Sequence, residues 1–475
     1  MLGALITPLW GSEFQKRGSM PQSADHAQSK AWLEQHPDIR FVDLLLPDQL
    51  AIPRGKRVKA GKLKEIHRTG LLLPASTFAL DVLGITVEAT GLGFDDGDAD
   101  RVCRPIPGTL AAVPWLGPQV AQMQLSMFEH DGRPFYGDPR HVLDSVLQRF
   151  RDKGLTPVVA VELEFYLVDR ERTPAGFARP PRQPLTGRVE RKTQINSMAE
   201  LSEYSELLSA IDAAAQVQGI PAGTALAEVG PGQFEVNLQH ETDALSACDH
   251  AVQLKRLVKG VALQHELEAT FMAKPYKDEV GSGTHVHVSL LDQDGRNVFA
   301  AEDPAGSQRL HHAIGGLMAT MRESIAVCAP TANSYRRYQP GAYVPLAPHW
   351  AINNRGAAFR IPAGPPDSRR VEHRVAGADS NPYLLCALVL AAIDHGMERQ
   401  LDPGPPLLGN AYEDPEPKVP TDWAGALDCF ESSAFVLEYF GSEFRRLYAT
   451  TRRGEMIDFN SHVSPLEHAW YLRPS

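Results

Sequence analysis

The chain has 475 residues, and its 58 acidic and 47 basic side chains give a formal net charge of −11. This acidic balance makes a nucleic acid backbone or an anionic membrane surface an unsuitable main partner. No segment approaches the roughly 18 consecutive apolar residues of a membrane span, because 38 glycines and 37 prolines interrupt the chain throughout. We therefore expect a globular protein that binds neither nucleic acid nor membrane.

The cysteines and the N-terminal segment indicate where in the cell the protein is found. The five cysteines are widely scattered and form no CxxC pair, so they indicate neither a zinc site nor a redox motif. Scattered thiols are typical of a reducing compartment, which predicts a cytoplasmic location. Residues 1–20 have an apolar run without the basic start of a secretory signal, and Gly11-Ser12-Glu13-Phe14 resembles a cloning remnant. We expect this segment to be an unstructured tag.

The predicted elements divide the rest of the chain into two regions. Residues 21–130 combine one short helix with strand-like segments and many turn signals, which predicts a small sheet domain. The pattern changes near Asp138, which can cap a helix that has Pro139 at its first position and apolar residues at helical spacing. A larger domain is expected over residues 131–475, with a long helix at 249–270 and antiparallel strands. The fold class is therefore α+β.

A strictly alternating segment, Thr156–Val168, predicts a strand with one apolar face. Glu162 and Glu164 both lie on its other face, where their carboxylates would be close together. Solvated surface acids are the ordinary explanation of such a pair. Here the neighbouring Val158 and Ala160 indicate a buried face, and two buried anions need a cation between or beside them. The strand therefore predicts a metal site.

Further polar side chains follow on later strands. Glu228 and Glu235 bracket a Gly-Pro-Gly break that resets the alternation, so both can face one cavity. His285, His287 and Ser289 share one face of a predicted strand at 284–290, although an isolated HxH pair is a weak signal. Histidines often satisfy hydrogen bonds within a core, so each of these segments is ambiguous by itself.

A last predicted strand, at 370–375, places Arg370, Glu372 and Arg374 on one face. By itself, this arrangement usually indicates a surface salt-bridge ladder. Together with the acids and histidines, it supplies the charges that a two-metal phosphoryl-transfer site needs. Ligands that are mostly oxygens suit Mg²⁺ or Mn²⁺ better than zinc.

The motifs that carry these residues closely resemble those of the glutamine synthetase family. In chain order they are ExEF, E-x-GPGQ-x-E, GSG-x-HxHxS, NSY-x-R, NR-x4-RIP and RR-x-E-x-R-x4-D-x-NPY. The resemblance implies a small β-grasp-like domain followed by a catalytic domain, in which an antiparallel sheet with flanking helices lines a funnel. It also implies ATP, two or more Mg²⁺ or Mn²⁺ ions per site, glutamate as substrate, and a homo-oligomer, expected to be a dodecamer of two stacked hexameric rings.

The resemblance implies a role for each matching residue. The ligands of the first metal would be Glu164, Glu228 and Glu235. The ligands of the second metal would be Glu162, His285 and Glu372. The residues around the glutamate substrate would be Arg337, Arg374, Gly281 and Glu228. The residues around ATP would be His287, Ser289, Arg355 and Arg370. The catalytic residues would be Arg355, Arg360, Tyr343 and, reaching a neighbouring subunit, Asp100, with Asp81 a poorer match.

One departure from the family bears on the nucleophile. Where ammonia-using members carry a glutamate in PGYEAP, residues 340–345 read PGAYVP and place Tyr343 there, and Val280 replaces the asparagine before GSG. An ammonium ion loses polar partners in such a pocket, whereas an alkyl group gains apolar contact. This resembles the γ-glutamylpolyamine synthetase branch and implies ATP-dependent ligation of the glutamate γ-carboxylate to a primary amine through a γ-glutamyl phosphate. We favour an alkyl monoamine over a polyamine, and an ordinary glutamine synthetase is the alternative.

Two other classes of protein compete with this interpretation. Metal-dependent amidohydrolases also carry HxH on a strand, but the later strands here are rich in arginine, which suits phosphate better than water activation. A non-enzymatic relative of the fold would be expected to lack metal ligands, and all six are present. Tyr412 lies where some family members carry an adenylylated tyrosine, but its surroundings match poorly, which predicts an ordinary surface-loop tyrosine.

Overall fold

The computed structural model describes residues 22–189, 195–339, 342–413 and 417–474. The expected tag at 1–20 lies outside these ranges, as do Pro340 and Gly341 of the PGAYVP segment. The described chain contains two β-sheets, and each sheet has its own apolar core.

The first sheet is built from the N-terminal region. Its strands are β1 (Phe41–Pro47), β2 (Pro53–Lys59), β3 (Leu71–Pro74), β4 (Asp100–Pro105), β5 (Ala111–Ala112) and β6 (Val120–Phe128). The strand order is β2-β1-β6-β4-β3, with β5 against β6, and only the pair β1 and β6 is parallel. Two helices, α1 (Gln22–Gln35) and α2 (Leu63–Thr69), accompany the sheet. Alternate residues of β1 and β6, including Val42, Leu44 and Met123, form its core.

The second sheet is larger and holds the predicted strands. Its members are β7 (Thr156–Asp169), β8 (Ala222–Ala227), β9 (Gln233–Leu238), β10 (Leu267–Thr270), β11 (Thr284–Leu291), β12 (Trp350–Ile352), β13 (Phe359–Ile361) and β14 (Val371–His373). The order is β12-β13-β14-β11-β7-β9-β8, with β10 against the end of β7. Every pair is antiparallel except β12 with β13, so the expected antiparallel character holds for most of the sheet.

Helices cover the apolar face of this sheet and complete the chain. They are α3 (Pro139–Asp152), α4 (Met198–Glu203), α5 (Ser205–Gln218), α6 (Ala244–Gln264), α7 (Gln308–Ala319), α8 (Met321–Cys328), α9 (Pro382–Arg399), α10 (Trp423–Ser432), α11 (Ala434–Ser461) and α12 (Pro465–Tyr471). As predicted, Pro139 begins α3 and the Asp138 side chain accepts a hydrogen bond from the Arg140 N–H. The α+β fold class is confirmed, whereas the boundary at residue 130 stays a prediction.

The helix predicted at 249–270 is wrong at its C-terminal end. α6 ends at Gln264, and Glu266 has a φ of 59°, which takes the chain out of the helix. Leu267–Thr270 then forms β10 and pairs antiparallel with the end of β7. No helix of the described ranges is long and apolar enough to cross a membrane.

Candidate active site

The polar face of the second sheet brings the first predicted residues together through strand register. Glu162 of β7 lies opposite His285 of β11, and Glu164 lies opposite Glu235 of β9. The Glu162 carboxylate contacts two histidines at once, with Oε2 3.1 Å from His285 Nδ1 and Oε1 2.9 Å from His287 Nε2. The alternation seen in the sequence therefore places acids and imidazoles side by side.

Glu228 reaches the same cavity through the tight turn between β8 and β9. Its backbone N–H donates to the Gln233 carbonyl at 2.9 Å, which closes the turn. Gly232 has a φ of 74°, and a Cβ on Gly230 would lie 1.9 Å from the Tyr166 hydroxyl oxygen, so both positions need glycine. The Gly-Pro-Gly break thus returns the chain so that Glu228 and Glu235 face one cavity, as predicted.

The described residues contain three groups whose ligand atoms lie within 4.8 Å of one another. They are Glu164 with Glu228 and Glu235, Glu162 with Glu235 and His285, and Glu162 with His287 and Glu372. The first group has the membership implied for the first metal. The second implied group differs, because His287 takes the place of His285 beside Glu162 and Glu372. His285 Nδ1 still lies 3.9 Å from Glu372 Oε1.

The acidic groups carry more negative charge than the protein compensates. Burial, followed by the charges of Glu162, Glu164 and Glu228, raises the pKa of Glu235 to about 9. Burial and Glu164 likewise raise the pKa of Glu228 to about 7. Clustered buried carboxyl groups repel one another unless a cation lies among them, and a divalent ion among oxygen ligands supplies that charge. The residues present therefore fit a divalent metal site.

Glu372, in contrast to Glu228 and Glu235, is surrounded by positive charge that lowers its pKa. Its side chain is 1% exposed, and it pairs with Arg374 and, at 2.6 Å, with Arg360 Nη1. Burial alone would raise its pKa, but the charges of Arg374, the two histidines and Arg360 lower the pKa to about 2. The side chains of Arg370, Glu372 and Arg374 therefore form an internal charge network and not the surface salt-bridge ladder that such a pattern usually indicates. At its other end, Arg370 Nε donates to His287 Nδ1 at 3.2 Å.

Arg337 borders the acidic cluster from beneath the loop that precedes β11. It is buried, and its guanidinium donates to the Val375 carbonyl at 3.3 Å. A Cβ on Gly281 would lie 2.6 Å from Arg337 Cγ, so the loop can pass only with glycine there. A Cβ on Gly283 would lie 3.2 Å from Arg337 Nη2 and 3.4 Å from Glu164 Oε1. The expected glutamate-binding arginine thus adjoins a predicted metal ligand.

The remaining funnel residues lie around this centre. Arg355 is exposed, its carbonyl accepts a hydrogen bond from Arg374 Nε at 3.1 Å, and its charge lowers the pKa of Glu228. Ser289 continues the polar face of β11 beyond His287, opposite Val158. The Val280 carbonyl accepts a hydrogen bond from the Tyr166 hydroxyl at 2.9 Å.

The two acids of the first sheet are not part of this cluster. Asp100 is exposed at the start of β4 and pairs with Pro74. Asp81 is buried, and its Oδ1 accepts hydrogen bonds from the N–H groups of Leu83 and Ile85. Asp81 therefore stabilises its own loop, and of these two predicted acids Asp100 is the one that is open to a neighbour.

Sequence reasoning missed three residues near the site. Asn237 continues the alternation of Gln233 and Glu235 on β9 and lies opposite Glu162, a signal that the sequence does contain. The His240 ring lies 6.2 Å from that of His287. Tyr412 was expected to be an ordinary surface tyrosine, but it is half-buried, its hydroxyl is inaccessible, and its ring meets that of Tyr343.

Comparison with known proteins identifies the class that this fold and site define. The family model described as "Glutamine synthetase, catalytic domain" matches residues 136–471. The chain therefore belongs to the glutamine synthetase family, whose members are ATP-dependent ligases that use divalent metal ions. This confirms the resemblance seen in the motifs and excludes a metal-dependent amidohydrolase.

Individual relatives show which members of the family this chain is similar to. Gamma-glutamylputrescine synthetase PuuA of Escherichia coli (strain K12) is 41% identical over 97% of this chain and 96% of its own length. Glutamate–isopropylamine ligase of Pseudomonas sp is 31% identical over 93% of this chain and 96% of its own length. The solved structure titled "Apo GmaS without ligand" matches with a TM-score of 0.80 and 28% identity, covering 93% of this chain and 98% of that one.

Proposed function

We propose that the protein ligates the γ-carboxylate of glutamate to a primary amine and converts ATP to ADP and phosphate. The observation that carries this proposal is Tyr343, which stands in place of a carboxylate where the family binds ammonium. Its side chain is 68% exposed and offers an aromatic surface without a charge for ammonium. The similarity to relatives named for putrescine and isopropylamine supports an amine as the nucleophile. Ammonia, as in an ordinary glutamine synthetase, is the alternative.

We further propose that two or more Mg²⁺ or Mn²⁺ ions bind among the six predicted ligands. They are Glu162, Glu164, Glu228, Glu235, His285 and Glu372, with His287 within reach of the second position. Bound divalent ions supply positive charge that orients ATP and offsets the charge of the transferred phosphoryl group. The raised pKa values of Glu228 and Glu235 support this assignment because a cation relieves the repulsion that raises them.

The arginines of the site hold the anionic groups. Arg337 and Arg374 bind the glutamate carboxylates through their planar guanidinium groups, and Arg355 and Arg360 offset charge on the phosphoryl group that passes from ATP to the γ-carboxylate. The amine nitrogen then attacks the acyl carbon of the γ-glutamyl phosphate, the carbon–oxygen bond to phosphate breaks, and the amine loses a proton. His287, Ser289 and Arg370 line the nucleotide side of the funnel.

The amine specificity is tested by steady-state kinetics with glutamate, ATP and one nucleophile at a time. We expect kcat/KM to be higher for isopropylamine and butylamine than for ammonia, because each methylene buried against Tyr343 and Val280 contributes about 0.8 kcal/mol. Putrescine is the third nucleophile, and a preference for it would overturn only the choice of a monoamine. A kcat/KM for ammonia at or above that of every amine would identify an ordinary glutamine synthetase.

The metal assignment is tested with Glu164→Ala. This change removes one member of the most acidic group and should abolish ADP release while the fold is retained. Glu206→Ala, which removes an exposed acid in the first turn of α5, is the matched control and should keep full activity. Full activity of Glu164→Ala, or of the wild type after dialysis against EDTA, would contradict the metal site.

We also propose that the chain works in the cytoplasm as a homo-oligomer, expected to be a dodecamer of two stacked rings. All five cysteines are free thiols, and four of them are buried, which suits a reducing compartment. The exposed position of Asp100 on the first sheet supports a site completed by a neighbouring subunit.

A further inference from the structure

Tyr343 adopts a backbone conformation that a tyrosine rarely takes. Its φ is 52°, in the left-handed region that favours glycine and asparagine, yet its side chain is 68% exposed. Such a conformation persists only where neighbouring groups hold it, and it is found most often at functional sites. The aromatic neighbour of Tyr343 is Tyr412, whose ring centroid lies 6.4 Å away at an interplanar angle of 86°, which is an edge-to-face contact.

Tyr412 is fixed against the loop that carries Arg355. The Tyr412 backbone N–H donates a hydrogen bond to Asn410 Oδ1 at 3.0 Å. In the same segment, the Gly409 carbonyl accepts a hydrogen bond from Asn354 Nδ2 at 2.8 Å. A Cβ on Gly356 would lie 3.0 Å from Ala411 Cβ and 3.9 Å from Tyr412 Cε2, so this glycine lies beside the segment that carries the ring. The tyrosine is thus anchored to a segment that belongs to the funnel.

The Tyr412 hydroxyl is buried, and it has no side-chain hydrogen-bond partner among the described residues. Burial and the neighbouring Tyr343 raise its pKa to about 12, so the group stays neutral. A neutral ring held in this way presents an apolar and π-rich surface and adds no charge.

Arg374 connects the loop beside Tyr412 to the acidic cluster. Its positive charge lowers the pKa of both Glu228 and Tyr412. Arg374 also donates to Glu372 and to the Arg355 carbonyl. The segment that packs near Tyr412 is therefore joined, through Arg355, to an arginine proposed to bind glutamate.

We infer that Tyr412 is a specificity-determining residue, and that its ring forms with Tyr343 one wall of the pocket for the alkyl part of the amine. This inference rests on the proposed function and names the substrate feature that the site recognises, which is the hydrocarbon next to the attacking nitrogen. Tyr343 supplies the exposed surface, and Tyr412 supplies the second ring and holds Tyr343 in its left-handed conformation.

The test compares Tyr412→Ala with Tyr412→Phe, which keeps the ring and removes only the hydroxyl. The measured quantity is the ratio of kcat/KM for isopropylamine to that for ammonia. Tyr412→Ala should lower this ratio about tenfold or more, since a lost apolar contact in a pocket reduces discrimination by roughly 10-fold to 200-fold. Tyr412→Phe should keep the ratio within about threefold, and the KM for glutamate should change little in either variant.

The double variant Tyr343→Ala with Tyr412→Ala tests whether the rings act as one wall. Residues in contact are not additive, so the double variant should lose little more selectivity than Tyr412→Ala alone. An additive loss, or an equal loss in Tyr412→Phe, would overturn the shared wall. If the wild type prefers amines and Tyr412→Ala keeps the wild-type ratio, the role of Tyr412 is wrong and the proposed function stands. A wild type that prefers ammonia would instead overturn the proposed function.

Discussion

At the scale of single residues, charge balance decides what each acid can do. Glu162 shares its two oxygens between His285 and His287, and although burial raises its pKa, these two contacts hold the pKa well below the usual range. Among the residues that the structure describes, Glu235 has no such partner, and its pKa is raised. The same sheet face therefore holds one acid neutralised by the protein itself and another that needs a cation from outside.

Arg374 is the residue for which geometry matters more than charge. Its guanidinium pairs with Glu372 through Nη1 and donates from Nε to the Arg355 carbonyl. Arg374→Lys keeps the charge but cannot reproduce the two-point contact with a carboxylate. We expect the KM for glutamate to rise about tenfold or more, which corresponds to a lost hydrogen bond to a charged group, and the KM for ATP to change less.

Initial-rate kinetics with glutamate varied at saturating ATP, and the reverse, measure this effect. Arg399→Lys is a matched control because Arg399 lies at the end of α9 and pairs with Glu438 outside the site. Thermal unfolding checks that both variants fold. An unchanged KM for glutamate in Arg374→Lys would remove this residue from the substrate site.

Site residues on regular strands were easier to predict from the sequence than site residues on loops. Glu162, Glu164, His285 and His287 lie on strands, where alternation fixes the face of each side chain. Spacing therefore predicted which of them share a face, and the family resemblance predicted that the two strands meet. Tyr412 meets Tyr343 through two loops that are far apart in the chain. Loop conformations depend on packing against the rest of the molecule, so no local pattern indicates such a contact.

At the scale of elements, α6 supports the loops that hold the site. Lys255 on α6 donates from Nζ to the carbonyls of Ala378 at 2.7 Å and Ser380 at 2.9 Å. The Ala378 N–H in turn donates to the Ser282 carbonyl, in the loop that precedes β11. A helix on the apolar side of the sheet thus fixes two loops at the end of the polar face.

The pKa of Lys255 predicts how stability varies with pH. Burial, followed by the charge of Lys259, lowers this pKa to about 7, while Asp379 acts in the opposite direction. The unfolded chain binds a proton at this lysine up to roughly pH 10, so between pH 7 and 10 it binds more protons than the folded chain. Stability from this group therefore rises with pH across that window.

Lys255→Met removes this dependence together with the two hydrogen bonds. We expect the Tm of the wild type relative to that of the variant to increase between pH 7 and pH 9, as measured by differential scanning calorimetry in matched buffers. Subtracting the variant cancels the contributions of the titrating acids and histidines that both proteins share. Parallel Tm profiles for the two proteins would show that Lys255 keeps an ordinary pKa in the folded state.

Element boundaries were less predictable than element types. The apolar spacing at 249–270 continues past the end of α6, because Leu267 and Ala269 suit the alternation of a strand as well as a helical face. The left-handed residue that ends the helix is Glu266, which is not a residue type that signals such a break. Leu267–Thr270 forms a strand because it pairs with β7. This is a tertiary contact, so local spacing does not indicate it.

At the scale of the whole molecule, the first sheet presents a surface suited to a second copy. Leu83, Ile85 and Phe94 are 71%, 59% and 87% exposed, and they lie on the loops between β3 and β4, the strand that begins with Asp100. Exposed large apolar side chains are typical of an interface, so these loops support the proposed contact with a second copy. The proposed sharing of the site between subunits accounts for the position of Asp100 outside the acidic cluster of its own chain.

Sharing of the site between subunits can be tested by complementation. Glu164→Ala removes a predicted metal ligand on the second sheet, and Asp100→Ala removes the acid on the first sheet that is proposed to reach a neighbour. Each variant alone should release little ADP. When the two are co-expressed with different affinity tags and purified as mixed oligomers, random assembly leaves roughly a quarter of the sites with both residues intact. We therefore expect partial recovery of activity in the mixture.

The control for this experiment is co-expression of Glu164→Ala with Glu235→Ala. Both changes lie on the same sheet and oppose each other across β7 and β9, so every site in that mixture is damaged and no activity should return. Recovery in this control would mean that wild-type chains had formed. Absence of recovery in the Asp100 mixture, or a fully active single chain by sedimentation velocity, would show that each subunit builds its site alone. In that case the exposed apolar loops of the small sheet would need another partner.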